Sequence, residues 1–179
     1  MSAHPFQLSV PVSPIDHVQG SEHAHVTVVE YGDFECPNCK QAAPAVKLLL
    51  QRSPGRVRFV FRNFPLTEVH PHAMQAAEAA ECVGAQGQFW PMHDLLFDNQ
   101  LHLKPNHLHS YAERLGIDMT RYTAEMDDHV YLQRVREHQK SGRDSGVRGT
   151  PAFFVNGRLQ DVSFGMQGLF SAVDAALKR

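Results

Sequence analysis

The chain has 179 residues, 42% hydrophobic and 20% charged, and its 17 basic against 19 acidic side chains leave a formal net charge of −2. This is ordinary composition for one globular domain with a core of its own, so folding needs neither disulfide staples nor a structural metal. The charge balance offers no electrostatic footprint for nucleic acid or an acidic membrane surface, and no apolar run approaches the roughly 18 residues of a membrane-spanning helix. Neither kind of partner is expected.

Met1 to His25 carries Pro5, Pro11 and Pro14, which bar a helix. Residues 1–25 therefore read as an extended arm laid against the domain. The segment has no basic n-region, apolar h-region or small-residue cleavage site, so a cytoplasmic protein is expected, or a periplasmic one had a leader been removed. Val26 to Tyr31 (VTVVEY) is a short apolar, β-branched run and reads as a strand buried on both faces. After Cys36-Pro37-Asn38-Cys39, residues Ala42, Ala45, Val46, Leu49 and Leu50 mark one helical face, with Pro44 inside the helix and Ser53-Pro54-Gly55 ending it. Arg56 to Arg62 is a second strand. Strand, helix and strand form a βαβ unit with parallel strands and a right-handed crossover.

The next clear strand is Ala152 to Val155, followed by an Asn156-Gly157 turn, a hairpin partner over Arg158 to Val162, and a last helix with Leu169, Val173, Ala176 and Leu177 on one face. About 90 residues separate the second and third strands, far beyond what a crossover needs. That segment is rich in helical stripes: an alanine-rich one opened by Pro71, one over Phe89 to Phe97, one closed by Gly116, one capped by Asp118 and one over Leu132 to Gln139. Residues 64–147 thus read as an all-helical insert of four or five helices, splitting a sheet domain formed by residues 26–63 and 148–179.

The Cys36-Pro37-Asn38-Cys39 run lies where a parallel strand ends and a helix begins, the place where open α/β sheets carry their sites. A helix N-terminus presents free N–H groups and partial positive charge, which favour a thiolate. Cys36 is expected as the outer, exposed sulfur that attacks a disulfide. Cys39, one turn in and more buried, is placed to resolve the mixed disulfide. Pro37 suits the first turn because its missing N–H would be unpaired there anyway. A zinc half-site would need Cys82 plus a histidine, or two histidines, and no second pair stands at finger-like spacing, so no metal is expected. Gly149-Thr150-Pro151 precedes the third strand. A cis Thr150–Pro151 bond would turn the Thr150 backbone toward Cys36, where it could pair with an extended substrate.

The pieces VTVVEYGDFECPNC, RVRFVFRNFPL, HPHAMQAAEAAECVGAQGQFWPMHDLLFDNQ and GVRGTPAFFVNG together resemble the DsbA-like branch of the thioredoxin superfamily. The resemblance runs from about Asp16 to Lys178. It is similar in particular to thioredoxin-like domains that also occur fused to some sodium/proton antiporters. It implies an α/β fold: a thioredoxin fold with a helical subdomain inserted between the second and third sheet strands. It also implies a thiol-disulfide oxidoreductase with nucleophile Cys36, resolving thiol Cys39, cis-proline Pro151 and, in Glu30, a buried acid behind the active-site helix. Two positions depart from the strongly oxidising members. Asn38 stands where they carry histidine, and Thr150 where they carry valine. Asn38 can donate a hydrogen bond to the thiolate but carries no charge, and Asp33 and Glu35 are expected to oppose it. The Cys36 pKa is therefore expected between the values of about 7 for thioredoxin and about 3.5 for DsbA.

The functional expectation is thiol-disulfide exchange on cysteine-containing proteins or peptides, by a monomer without a cofactor, recycled by an unidentified redox partner. The rivals are a redox-sensing adaptor without turnover, and a glutathione-linked transferase or isomerase, against which Cys39 counts. Glu30 reads as a proton acceptor for Cys39, or else as an acid paired with a lysine or arginine. The H-x-H pairs at 23/25, 70/72 and 107/109 read as caps and surface residues. Phe34, Phe64, Phe89 and Trp90 fit either an apolar surface around Cys36 or the core. Cys82 reads as a packed thiol outside the catalytic cycle.

Overall fold

A computed structural model describes residues 6–179, so residues 1–5 of the expected arm lie outside the described residues. Five strands form one sheet in the order β1-β3-β2-β4-β5: β1 His17–Gln19, β2 Val26–Gly32, β3 Val57–Asn63, β4 Ala152–Val155 and β5 Arg158–Gln160. The central strand β2 runs parallel to β3, with Val29 opposite Val60, and antiparallel to β4, with Val29 opposite Phe154. Helix α1, Pro37–Arg52, makes the β2-to-β3 crossover. Asn156 and Gly157 both have positive φ, as the tight β4–β5 turn requires.

Side-chain alternation divides the sheet between two apolar cores. Val26 and Val28 of β2, with Phe59 and Phe61 of β3, pack with Val46 and Leu49 of α1 and with Leu169 and Val173 of α7, Gln167–Leu177. Val29, Tyr31, Val60 and Phe154 pack on the opposite face with Phe64 and Val147. Both faces being covered explains why β2 reads as a continuous apolar run rather than an alternating one.

Five helices lie between β3 and β4: α2 Ala73–Gly84, α3 Phe89–Asp98, α4 Pro105–Arg114, α5 Met119–Asp127 and α6 Leu132–Asp144. The expected caps are present. Gly116 has φ +69°, and Asp118 accepts a hydrogen bond from Arg121 N at 3.0 Å. Helix α6 returns onto the sheet at Gly142, where an added Cβ would sit 2.7 Å from the Phe64 ring.

The arm ends in a strand that the sequence reading missed. β1 pairs antiparallel with the outer edge of β3 and covers it. Ahead of it, Leu8 N donates to Gly157 O and Leu159 N to Phe6 O, so the arm also clasps the hairpin at the other side of the sheet. Arg62 holds the middle of the arm. Its guanidinium donates to Asp16 at 2.9 and 3.0 Å and to the carbonyls of Val10 and Pro11.

Helix α2 is buried around nearly its whole circumference, Glu78 and Glu81 included. Glu81 accepts from Asn63, His17 and Arg134. Cys82 is fully buried, and burial, then the charges of Glu125, Glu78 and Glu81, push its thiol up to about 12. A thiol so held has almost no thiolate at neutral pH. Cys82→Ala is therefore expected to keep full redox turnover while lowering unfolding stability by about 1 kcal/mol through the lost sulfur packing. Urea denaturation and an insulin-reduction assay on the same sample check both parts.

Candidate active site

Cys36 caps the N-terminus of α1, directly after the loop that leaves β2. Its thiol donates to the Thr150 carbonyl at 3.4 Å, and the Thr150–Pro151 bond is cis, as the sequence led one to expect. Cys39 lies one turn into the helix, and its sulfur accepts from Asp33 N at 3.5 Å. One expectation needs correction: Cys36 is not an exposed sulfur. It is 5% exposed against 0% for Cys39, so it is the outer of the two but is itself nearly enclosed. Pro37 and Asn38, between them, are exposed. Beside the pair, an open cleft of about 580 Å³ runs between Asn38 and Gln41 of α1, Thr150-Pro151, and Ser163 to Met166 ahead of α7.

The two thiols are held at opposite ends of the titration range. The Cys39 thiol donates to Cys36, and this outweighs the effect of burial. The Thr150 side chain and the backbone N–H groups of Cys39 and Asn38 act in the same direction and bring Cys36 down to about 5. When Cys36 is a thiol donating to the Thr150 carbonyl, the buried Thr150 hydroxyl has no partner. Once Cys36 ionises, that hydroxyl is a donor at hand. Asn38 acts through its backbone rather than, as expected, its side chain. Burial pushes Cys39 well above its ordinary value, and its bond to Cys36 and the negative charges of Glu30 and Cys36 push it further.

Glu30 lies on β2 and by alternation shares the α1-covered face of Val26 and Val28. It is 2% exposed, and its Oε1 has no hydrogen-bond partner. No lysine or arginine pairs with it among the described residues, so the ion-pair reading fails. Burial, reinforced by the Cys36 charge, pushes its carboxyl up to about 8.

The acids flanking Cys36 find partners of their own. Asp33, fully enclosed, accepts from Glu35 N at 2.7 Å and Leu66 N at 2.8 Å, and its Oδ2 lies 2.7 Å from His70 Nδ1. Glu35 accepts from the backbone N of His72 at 2.7 Å, and its Oε1 lies 2.9 Å from His72 Nδ1. Each carboxylate is thus turned toward a histidine of the 70/72 pair, and neither is among the main influences on Cys36. His72 does stand at the N-cap of α2, as expected, but its ring makes no capping bond; both rings instead pair with the active-site loop. Gln100 was also missed. Its Nε2 donates to the carbonyls of both Phe34 and Cys36. Phe34, Phe64 and Phe89 are buried in the cores, and Trp90 is half-buried and donates to Val18 O, so these aromatics do not form a collar around the sulfur.

Among the described residues no helix is long and apolar enough to cross a membrane. A family model described as Thioredoxin matches residues 13–175. The Na(+)/H(+) antiporter NhaA 1 of Salinispora arenicola is 51% identical over 170 residues, which cover 94% of this chain but 26% of the antiporter. The chain therefore spans about a quarter of the length of the curated relatives it matches. Among solved structures, the thioredoxin-like oxidoreductase from Silicibacter pomeroyi superposes with a TM-score of 0.81 at 28% identity, covering 93% of this chain and 95% of that one. Oxidised BdbD from Bacillus subtilis gives a TM-score of 0.81 at 25% identity, covering 90% and 92%. A cysteine pair at the strand-to-helix turn, a cis proline opposite it and this match from end to end lead to one conclusion: the chain belongs to the thioredoxin family and has the DsbA-like form of its fold.

Proposed function

We propose that the chain is a thiol-disulfide oxidoreductase acting on protein or peptide disulfides through Cys36 and Cys39. The observation that carries this reading is the division of labour between the sulfurs: the outer one is held as a thiolate and the inner one as a thiol. In the reductive direction the Cys36 thiolate attacks one sulfur of a substrate disulfide. The Cys36–substrate bond forms, the substrate S–S bond breaks, and the first substrate thiolate leaves and takes a proton. Cys39 then loses its proton, for which Glu30 is the nearby acceptor in the fraction of molecules where its carboxyl is ionised, and attacks the Cys36 sulfur. The Cys36–Cys39 bond forms, the mixed disulfide breaks, and the second substrate thiolate leaves. The substrate gains two electrons and the enzyme dithiol loses them. The same steps reversed oxidise a substrate dithiol. A second thiol or disulfide couple must restore the starting form. The cleft along Thr150 supports an extended chain as the substrate, paired to the Thr150 backbone in the manner of an added strand.

Ultraviolet thiolate absorbance against pH tests this directly. Half-ionisation of Cys36 is expected near pH 5. A midpoint near the free-thiol value of about 8.5 would overturn the reading. Catalytic turnover in insulin reduction separates an enzyme from a sensor, which would exchange once and stop.

A further inference from the structure

The peptide plane that follows Cys36 is unusual in having only one handle. Pro37 supplies no N–H, so nothing can hold that plane by its donor side. Cys36, as the residue capping α1, makes no side-chain capping bond either. What remains is the Cys36 carbonyl. It accepts from Lys40 N at 3.2 Å, in the first turn of the helix, and from Gln100 Nε2 at 2.8 Å. The same Gln100 nitrogen donates to the Phe34 carbonyl at 2.9 Å. The two hydrogens of one amide group therefore span two carbonyls two residues apart, on either side of Glu35.

We infer that Gln100 is a positioning residue for the Cys36 nucleophile, setting the direction of its Cα–Cβ bond by clamping the plane that follows Cys36 and the Phe34–Glu35 plane at the start of the turn, while the Glu35–Cys36 plane between them is held by Cys36 N donating to Asp33 O at 3.1 Å. Gln100 lies in the turn between α3 and α4, far from the cysteine pair in sequence, and is 9% exposed. Its amide works in a water-poor setting, where a lost donor leaves two carbonyls unsatisfied. The histidine contacts of the loop cannot replace it. His70 and His72 hold the side chains of Asp33 and Glu35, not the backbone next to the sulfur. With both planes held, Cys36 faces the Asn38 and Cys39 N–H groups and the Thr150 carbonyl together. With the clamp released, the loop can turn the sulfur away from some of these donors.

The inference rests on Cys36 being the nucleophile, but its readout does not need turnover. Gln100→Met keeps the side-chain length and removes both donors without adding charge. In that variant the Cys36 thiolate titration is expected to move up by about one unit, the scale of one or two lost hydrogen bonds to its setting. The reduction potential should move with it, and insulin reduction should slow by about fivefold at pH 5, approaching about tenfold at pH 4. Gln100→Asn, whose amide is one methylene too short to reach both carbonyls, is the milder companion should the first variant fail to fold. It is expected to shift the titration in the same direction by less. A folded variant with a lowered denaturation midpoint but an unmoved Cys36 titration would overturn the inference, because a merely structural role predicts that pattern. If the wild-type chain titrates near pH 5 yet reduces no insulin, the proposed function fails while the titration of Gln100→Met still decides the role of Gln100.

Discussion

Cys36→Ser should abolish insulin reduction to the limit of detection, while Cys39→Ser should still attack substrate and then stall. The asymmetry follows from the way the two sulfurs are held. Cys36 ionises near pH 5 and is the outer sulfur, so at neutral pH nearly all of it is thiolate, the only form that attacks a disulfide. A serine hydroxyl in its place stays protonated and is a far weaker nucleophile. Cys39, fully buried and pushed to high pKa, cannot substitute for it. In Cys39→Ser the first exchange proceeds, but nothing inside the protein can release the adduct. Mixed disulfides on Cys36 should therefore accumulate and be visible by mass spectrometry under non-reducing conditions. Stable adducts on Cys39 in Cys36→Ser, with none in the reverse variant, would exchange the two roles.

The second large effect is on stability against pH. Glu30 takes up its proton near pH 8 in the folded chain but near pH 4.5 when free. Below pH 4.5 it is protonated in both states, and its contribution to stability is fully present. As pH rises toward 8 the unfolded chain ionises and the folded one does not, so stability falls, by about 5 kcal/mol for the full interval. Cys36 works in the opposite sense. Its folded value of about 5 lies below the free 9.0, so its contribution is present above pH 9 and is lost as pH falls to 5. That contribution exists only while Cys36 is a free thiol. The reduced protein should accordingly show two opposing trends between pH 5 and 8. In the oxidised protein the Cys36 contribution is absent, and the Glu30 decline, lessened by the part that the Cys36 charge adds, stands against a rise up to about pH 6.5 from His138, held near 4 by burial, and buried His93, held below its ordinary value. Urea denaturation of the oxidised form at about pH 6.5 and pH 8, above the histidine range, measures the Glu30 part. Glu30→Gln, which cannot ionise, should flatten that decline; an undiminished decline in this variant would show that another group causes it.

The strands and helices that could be read from sequence are those whose pattern is local. The β2-α1-β3 unit, the Asn156-Gly157 hairpin and the insert's helices follow from apolar spacing and turn residues within a dozen positions. β1 has only three residues, His17 to Gln19, and no apolar alternation, and it exists because β3 offers an open edge. The reacting pair and the Thr150-Pro151 dipeptide were legible because the chemistry sets their spacing. Their support was not. Gln100 and the loop it holds are 64 and 66 residues apart, and the Asp33 and Glu35 contacts with His70 and His72 each span 37. Nothing in a glutamine after Asp98-Asn99 marks it as a partner of a backbone carbonyl. Asp33 and Glu35 were expected to act on the sulfur because they are its neighbours in sequence. Burial instead turns them toward whichever donors the insert presents. The closed setting of Cys36 was likewise invisible, since it depends on how Thr150 returns to the site from 114 residues away.

That return also governs the order in which the chain can be completed as it leaves the ribosome. The central strand β2 needs a partner on each side, and they come at very different times. β3 follows after one helix, whereas Phe154, opposite Val29, emerges 125 residues later. At roughly 5–20 residues per second of synthesis, one edge of the central strand stays unpaired for about 6–25 s. In that interval the nascent sheet consists of β1, β3 and β2 alone, with the backbone groups of Val28 to Tyr31 open to any other extended chain. The five helices of the insert are made in the same interval from mostly short-range contacts, which form quickly. A nascent chain stalled before Ala152 would therefore present a helical lobe already folded beside an unfinished sheet, a natural substrate for chaperones that bind exposed strand edges.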